Sequence, residues 1–479
     1  MITLKQSGML VLIPIVLAFL VHLWNAGGFP PIHPDESAYL IKTMRVLTGY
    51  GVQNDIPLAT DQIYTHPHFG QLFLAGTLAM TGYPNTLDLK PSEQSMSSLY
   101  AVPRFIMGLL AVLDTIIIYY IARRKFDTGV ALVASSLFAV LPATLVLRQV
   151  FLDNIMLPFI LLSILFALYN KPNNGKYHYI LFSGISLGLA IYTKIPAFTM
   201  IPLVGYLIFI NSKRINSVAL WLVPVIVIPC LWPAYALSVG QFDLWIDGIT
   251  AQASRQGEPN SSILDSLIRT LKIDPVILII GILGLIYAAA RKQYWIILWV
   301  VPFLIFSYFI GRVVPFHLVL IFPPLCISAS LLLIQGFKFK LWRRLISPVL
   351  IFSIICFGLV VSMLLITLDV NSHQFKTQAV VVERLSDNNT VFVGRQVYSW
   401  IPRYVFHISF DEFSRESLPA RWNESKILLV YNGMRQDSEL RNDTKLILHF
   451  NRPILPEYYP YTGVTFNRAI WKQVDVRIN

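Results

Sequence analysis

The chain has 479 residues, of which 55% are hydrophobic and only 13% are charged, whereas about a quarter of a soluble domain is charged. This composition excludes an ordinary soluble protein and indicates a membrane protein with many passes. The formal net charge of +12 does not indicate nucleic-acid binding. The basic residues mostly lie between hydrophobic segments, so they indicate how the chain is oriented in the membrane. The three cysteines, Cys230, Cys326 and Cys356, lie in apolar segments without disulfide or zinc spacing.

Apolar segments long enough to cross a bilayer recur along the chain, and they predict a mostly α-helical bundle of about eleven spans. They lie near residues 8–25, 103–121, 128–147, 154–169, 179–193, 195–210, 218–238, 275–290, 294–310, 318–335 and 346–368. The first segment lacks a small-residue cleavage site, so we interpret it as a retained span.

The distribution of basic residues predicts the orientation of these spans. If Lys5 is cytoplasmic, every short connection on the cytoplasmic side carries at least two basic residues, and the long segments 26–102, 239–274 and 369–479 lie outside. The cytoplasmic connections carry Arg123, Arg124, Lys125, Lys171, Lys176, Lys213, Arg214, Arg291, Lys292, Lys338, Lys340, Arg343 and Arg344. The Asn-x-Ser/Thr sequons, at Asn260, Asn388, Asn423 and Asn442, all fall on the predicted outer side.

Two domains are predicted, a transmembrane domain over 1–368 and a soluble extracytoplasmic domain over 369–479. In the first outer loop, the apolar stretch from Phe69 to Met80 is too short for a span, and it predicts a helix at the membrane interface. After residue 369 the sequence changes to β-type runs separated by polar turns, which predicts a small α/β domain.

The stretch from Phe29 to Tyr39 follows the first span directly and contains the adjacent carboxylates Asp35 and Glu36. The prolines before the pair restrict the backbone and favour a helix that begins near Asp35. The two acids are candidates for catalysis, and the alternative is a helix cap with a solvated face.

Lone ionisable residues also interrupt apolar sequence at other predicted outer connections. Arg148 and Asp153 share a short connection, Lys194 ends a span, and Arg312 and His317 flank the next outer connection. Ionisable residues at membrane depth are expensive unless they are paired or used in function. The alternatives are snorkelling, helix capping and interfacial anchoring.

His66 and His68 precede the interfacial helix, in Tyr64-Thr65-His66-Pro67-His68-Phe69-Gly70. Two histidines near two carboxylates can in principle bind a metal. No further close ligand completes a tetrahedral set, so polar positioning of the loop is favoured, and no metal or other cofactor is predicted.

Because these acids and bases map to one membrane face, they indicate a reaction on a phosphorylated lipid at the outer surface. Cations would hold the phosphate, and a carboxylate would take a proton from a hydroxyl. A transporter or flippase of polar lipids would also gather charges there, but no second copy of the Pro-Asp-Glu loop exists in the later half. A non-catalytic scaffold would leave these residues without a purpose.

The ordered set of motifs resembles the GT-C superfamily of polytopic glycosyltransferases, in particular glycosyltransferase family thirty-nine in its broad sense. That group contains protein O-mannosyltransferases and lipid A aminoarabinose transferases. The matching elements, over roughly 8–335, are Asp35-Glu36, Arg104, the Arg148-to-Asp153 motif and Gly188-Leu189-Ala190-Ile191-Tyr192-Thr193-Lys194. His66-Pro67-His68-Phe69 departs from the family's His-Pro-Pro-Leu. The Trp-Trp-Asp motif of the oligosaccharyltransferase branch is absent from the sequence.

The resemblance implies an inverting transfer of a sugar from dolichyl or undecaprenyl phosphate to a hydroxyl or amine of a protein, lipid or glycan. Asp35 would be the general base, with Glu36 beside it. The expected donor-phosphate ligands are Lys194, Arg312, His317 and Arg104. The residues expected to position sugar or acceptor are Asp153, Arg148, Tyr39, His66 and His68. The partners are therefore the lipid-linked donor, the acceptor and the bilayer, with no nucleic acid and no metal.

Overall fold

A computed structural model describes residues 10–52, 64–170, 177–254, 262–336, 345–386, 390–393, 396–410, 426–432, 445–451 and 473–478. Several residues used in the topology prediction lie outside these ranges. They are Lys5, Lys171, Lys176, Lys338, Lys340, Arg343, Arg344, Asn260, Asn388, Asn423 and Asn442.

Helices dominate the described residues. The α-helices are α1 Leu12–Leu23, α2 Pro34–Leu47, α3 Phe69–Met80, α4 Glu93–Lys125, α5 Thr128–Val140, α6 Leu152–Tyr169, α7 Tyr177–Thr193, α8 Ile201–Ser212, α9 Ile215–Ser238, α10 Phe242–Ala253, α11 Ile263–Ile273, α12 Pro275–Ala290, α13 Tyr294–Ile310, α14 Phe322–Gln335, α15 Ser347–Ile366, α16 Ser372–Leu385 and α17 Gln396–Tyr404. Each of the eleven predicted apolar segments is helical over most of its length, and α3 has the predicted bounds. Helices α10 and α11, in the long segment 239–274, were not predicted.

The apolar helices support an integral membrane protein. By length and composition, five helical segments in the described part of the chain can cross a membrane, and the number rises to seven if each of two bent pairs is one span. The five are α4, α6, Ile195–Ser212, α9 and α15. The bent pairs are Thr128–Val140 with Pro142–Arg148, at 67°, and α11 with α12, at 117°. The finer count of eleven stays a prediction.

In the described part of the chain, three 3-10 helices lie between apolar α-helices, and we name them η1 (Pro142–Arg148), η2 (Ile195–Met200) and η3 (Pro315–Leu320). Each has a proline in its first two positions, where the missing N–H costs nothing and the fixed φ suits the first turn. Arg148 ends η1 and Lys194 is the residue before η2. The prolines therefore turn the chain where these basic side chains occur.

Contacts divide the chain into two compact units. The first unit comprises Met1–Trp24, Gln62–Gly70 and Phe105–Ile366, and the second comprises Asn25–Asp61, Gln71–Arg104 and Thr367–Asn479. In the first unit, apolar helices pack closely through small residues, as membrane helices do. A Cβ on Gly284 of α12 would lie 2.3 Å from the backbone carbon of Ser328 in α14.

The second unit contains a four-stranded sheet in the order β1-β2-β4-β3. Its strands are β1 Thr390–Val393, β2 Lys426–Asn432, β3 Lys445–Asn451 and β4 Gln473–Ile478. Strands β1 and β2 are parallel, whereas β4 pairs antiparallel with both β2 and β3. Three of these strands follow the predicted β-type runs, and β4 was not predicted.

Candidate active site

In the second unit, α2 begins at Pro34 because His33 caps it. The backbone N–H of Asp35 donates to His33 Nδ1 at 3.1 Å, and the backbone N–H of His33 donates to Glu36 Oε2 at 3.1 Å. This reciprocal arrangement is a capping box, which satisfies two otherwise unpaired N–H groups. The alternative that Asp35 is the helix cap is therefore wrong, because its side chain is not used for capping.

Glu36 is buried against Arg104 of α4. Arg104 Nε lies 2.9 Å from Glu36 Oε1, and Nη2 lies 2.6 Å from Oε2. Neither side chain is exposed to solvent, so Glu36 does not form a solvated face. The planar guanidinium matches both carboxylate oxygens at once. Its remaining nitrogen donates to the Pro30 carbonyl at 2.8 Å, so Arg104 joins the helix start to the preceding loop.

Asp35 has a different environment from its neighbour. Its side chain is 44% exposed, and His33 Nδ1 lies 3.8 Å from its Oδ1. Among the described residues no donor makes a hydrogen bond to the Asp35 carboxylate. Tyr39, one turn further along α2, is buried. Of the two adjacent acids, Glu36 is committed to the protein, whereas Asp35 is available to a ligand.

In the first unit, Arg148 closes the end of α1. Its guanidinium donates to the carbonyl of Val21 and, at 2.6 Å, to the carbonyl of Trp24. These are last-turn carbonyls of a helix, which have no partner within the helix and carry its negative dipole end. Arg148 is fully buried, so it anchors the first apolar helix, and this structure gives no sign that it snorkels.

Lys194 pairs with Asp153. Its Nζ lies 2.6 Å from Asp153 Oδ2, and both side chains are almost completely buried. The same Nζ lies 5.5 Å from the ring centroid of Phe316 in η3, and Phe316 stacks on Phe151 with ring centroids 4.4 Å apart. The Arg148-to-Asp153 motif, Lys194 and the connection that contains Phe316 are far apart in sequence, and they contact one another in the structure.

Arg312 and His317 belong to the same region of the first unit, and both are partly exposed. Just before Arg312 the chain turns at Gly311, whose φ of +74° favours glycine. The hydroxyl of Ser266 in α11 donates to the Val313 carbonyl at 2.7 Å. This bond holds the connection that carries Arg312.

His68 lies within an aromatic group of the first unit. Its ring centroid is 5.4 Å from that of Tyr235 and 6.4 Å from that of Trp232. His66 is partly exposed. A Cβ on Gly70 would lie 2.5 Å from a Leu152 methyl, so the start of α3 packs closely against the start of α6. Among the described residues, no three His, Cys, Asp or Glu side chains are placed to hold a metal ion.

Sequence reasoning missed two polar groups of the second unit. His33 is a rare N-cap residue, and propensity alone favours Asp at that position. Asn371 donates to loop carbonyls more than 340 positions away along the chain, and no local pattern indicates such a contact. The only signal in the sequence is that Asn371 directly follows the last apolar segment, before α16.

Comparison with known proteins agrees with this fold. The family profile described as dolichyl-phosphate-mannose-protein mannosyltransferase matches residues 96–236. A comparison with curated proteins finds no match. The structure is similar to apo ArnT from Cupriavidus metallidurans, with a TM-score of 0.63 at 14% identity over 99% of this chain and 98% of that chain.

The same protein bound to undecaprenyl phosphate gives a TM-score of 0.62 at 14% identity over 98% of both chains. The oligosaccharyltransferase AglB from Archaeoglobus fulgidus, in complex with an inhibitory peptide and a dolichol-phosphate, gives 0.55 at 10% identity over 88% of this chain and 69% of that chain. At such identities the likeness is one of fold. The chain has the fold of the GT-C superfamily of glycosyltransferases, and the predicted resemblance is confirmed.

The Glu36–Arg104 pair predicts a strong effect on stability. Breaking a buried pair leaves an unpaired buried charge and costs about 3–5 kcal/mol. We expect Arg104→Met to lower the free energy of unfolding of the detergent-solubilised protein by that amount. The double variant Glu36→Gln/Arg104→Met should lose less, because no charge is stranded.

Lys90→Met is the matched control, because it removes a cation whose 2.8 Å pair with Asp88 is largely exposed. Exposed pairs contribute little. Equal stability of Arg104→Met and Lys90→Met would contradict the structural role of the buried pair.

Proposed function

We propose that the chain is a membrane glycosyltransferase that moves a hexosyl or pentosyl group from a polyprenyl phosphate to an acceptor hydroxyl or amine. The observation that carries the proposal is the contrast between two adjacent acids, Asp35 exposed and Glu36 buried against Arg104. The GT-C fold supports it, since ArnT binds undecaprenyl phosphate and AglB binds a dolichol-phosphate. The acceptor is a protein, lipid or glycan.

In the proposed reaction Asp35 is the general base. The acceptor oxygen or nitrogen attacks the anomeric carbon while its proton passes to the Asp35 carboxylate. The bond from that carbon to the phosphate oxygen breaks, and its electron pair leaves with the polyprenyl phosphate. One displacement inverts the anomeric configuration. The donor supplies the driving force, so no nucleotide is required.

The departing phosphate requires cations. Arg312 and His317 are the partly exposed basic groups among the predicted ligands, so we assign them the direct contacts. An ammonium has three donors, and Lys194 uses one on Asp153. Its charge is thereby partly balanced, and we assign Lys194 a supporting contact. Arg104 supports the base through Glu36 instead of meeting phosphate.

We further propose eleven spans with a cytoplasmic N-terminus, a transmembrane domain over 1–368 and an extracytoplasmic α/β domain over 369–479. The basic residues of the short connections support this orientation. We assign Asp153, His66 and His68 to the positioning of sugar or acceptor. Asp153 pairs with the basic residue Lys194, and His66 and His68 lie directly before α3. Tyr39 and Arg148 contribute by holding the helices that bear the site.

The Asp35 assignment is tested by Asp35→Asn, which keeps the shape of the side chain and removes the base. We expect transfer of labelled sugar to fall about 10²- to 10⁴-fold, while binding of the polyprenyl-phosphate donor persists. Asp88→Asn is the control, since Asp88 is an exposed acid of the same unit. If Asp35→Asn transferred sugar at the wild-type rate, the base assignment would fail.

The phosphate assignment is tested at Arg312. Losing a charge-assisted hydrogen bond costs about 1.5–3 kcal/mol, so Arg312→Ala should weaken donor binding by about 10- to 100-fold. Arg312→Lys should be intermediate, because it keeps the charge without the planar fork. Arg291→Ala is the control, because Arg291 is an exposed arginine at the C-cap of α12, before α13 begins. Undiminished donor binding by Arg312→Ala would remove this residue from the site.

The orientation is tested by cysteine labelling in a variant whose three native cysteines are replaced by alanine. Lys90→Cys should react with an impermeant maleimide in intact cells. Arg291→Cys should react only after permeabilisation, because its connection is predicted to be cytoplasmic. The reverse pattern would invert the proposed topology.

A further inference from the structure

The loop before Asp35 is neither helix nor strand, and its backbone is held by hydrogen bonds to side chains. Residues 27–32 lie between α1 and α2. Of these, the carbonyls of Gly27, Gly28 and Pro30 and the N–H of Ile32 bond to one side chain, that of Asn371. A loop with buried polar backbone groups requires such partners.

The Asn371 amide is fully buried and fully used. Its nitrogen lies 3.0, 3.0 and 2.9 Å from the carbonyl oxygens of Gly27, Gly28 and Pro30. Its oxygen accepts from the Ile32 N–H at 3.0 Å. Asn371 also occupies the N-cap position of α16, but its side chain makes no capping bond there. The side chain serves the loop and not its own helix.

The Asn371 contacts converge with those of Arg104. Both side chains donate to the Pro30 carbonyl, Asn371 at 2.9 Å and Arg104 at 2.8 Å. Arg104 in turn grips Glu36, which neighbours Asp35. An uninterrupted set of hydrogen bonds therefore runs from Asn371 through the loop to the first turn of α2.

A second group of hydrogen bonds joins the same helices of the second unit. The Tyr100 hydroxyl lies 3.3 Å from the Ser37 hydroxyl of α2, and it accepts from Gln378 of α16 at 3.1 Å and from Trp400 of α17 at 2.9 Å. The helices that follow the last apolar segment are thus linked through the Tyr100 hydroxyl of α4 to Ser37 of α2, two positions after Asp35.

We infer that Asn371 is a positioning residue for Asp35, and that the segment after the last span fixes the general base by holding the loop in front of it. This inference rests on the proposed function, because the orientation of the Asp35 side chain matters for transfer only if Asp35 is the general base. Asn371 touches no reacting atom. It acts through residues 27–32 and the Glu36–Arg104 pair.

Asn371→Asp tests this inference, because it keeps the oxygen that accepts from Ile32 and removes the donors to the three carbonyls. Misplacement of a catalytic group by about 1 Å can cost about 10²-fold in rate. We expect kcat for sugar transfer to fall about 10- to 100-fold while the dissociation constant of the polyprenyl-phosphate donor stays unchanged. Asn371→Ser, which is uncharged and shorter, serves if the Asp variant cannot be purified folded.

The decisive readout is a double-mutant cycle with Asp35→Asn. If Asn371 acts through Asp35, then Asn371→Asp should reduce the residual rate of the Asp35→Asn enzyme far less than it reduces the wild-type rate. Equal reduction on both backgrounds, or no reduction on either, would overturn the inference. Asn211→Asp is the matched control, because Asn211 donates to one carbonyl, that of Ala167, in the first unit.

Failure of the proposed function and failure of the positioning role give different experimental results. If wild-type protein transfers no sugar from polyprenyl phosphate, the proposed function fails and the inference falls with it. If the wild type transfers sugar and Asp35→Asn does not, but Asn371→Asp is as fast as the wild type, only the positioning role is refuted.

Discussion

The buried pair between Glu36 and Arg104 is the interaction on which the start of α2 and the loop before it depend. Removing two charges from water costs several kcal/mol per ion, and the cost is recovered only when every polar group around the pair is satisfied. Here the carboxylate receives two guanidinium bonds and the N–H of His33. The third guanidinium nitrogen meets the Pro30 carbonyl. The pair therefore specifies the loop, the cap and the first turn of α2 together.

That arrangement explains how two neighbouring acids have different surroundings. Successive residues on a helix point about 100° apart, so burial of Glu36 directs Asp35 to another face. The Asp35 carboxylate accepts no hydrogen bond from the residues that the structure describes, so its lone pairs are available to a ligand. The same logic appears in the first unit, where Asp153 neutralises Lys194 and leaves Arg312 and His317 as the more accessible basic groups.

Much of the fold was predictable because a bilayer imposes physical requirements on the chain. Apolar segments must be long enough to cross it, and basic residues collect in the short connections between them. The helix Phe69–Met80 was predicted with its observed bounds, and the motifs around Asp35 and Lys194 indicated the GT-C fold. The bent pairs were not predicted, because a bend depends on local capping and packing that hydropathy does not record. Asp274, for example, caps α12 and also binds the Ala143 N–H.

The sequence indicated which side chains are chemically suitable for a site, but it did not indicate the partners of those side chains in the fold. Sequence separates Arg148 from Val21 by 127 positions, and nothing local shows that this arginine closes a helix instead of meeting a substrate. Asn371 illustrates the same limit, since a single asparagine after an apolar segment has no distinctive pattern. Spacing reveals which side chains are chemically suitable. Only the packed structure reveals which of them are already occupied.

The anomeric configuration of the product tests most directly whether sugar transfer is a single displacement with Asp35 as the base. Purified protein would be incubated with a polyprenyl-phosphate sugar of defined configuration and a hydroxyl acceptor, and the new glycosidic bond examined by NMR. Single displacement with Asp35 as base predicts complete inversion. Retention of configuration, or release of free sugar without transfer to the acceptor, would contradict it.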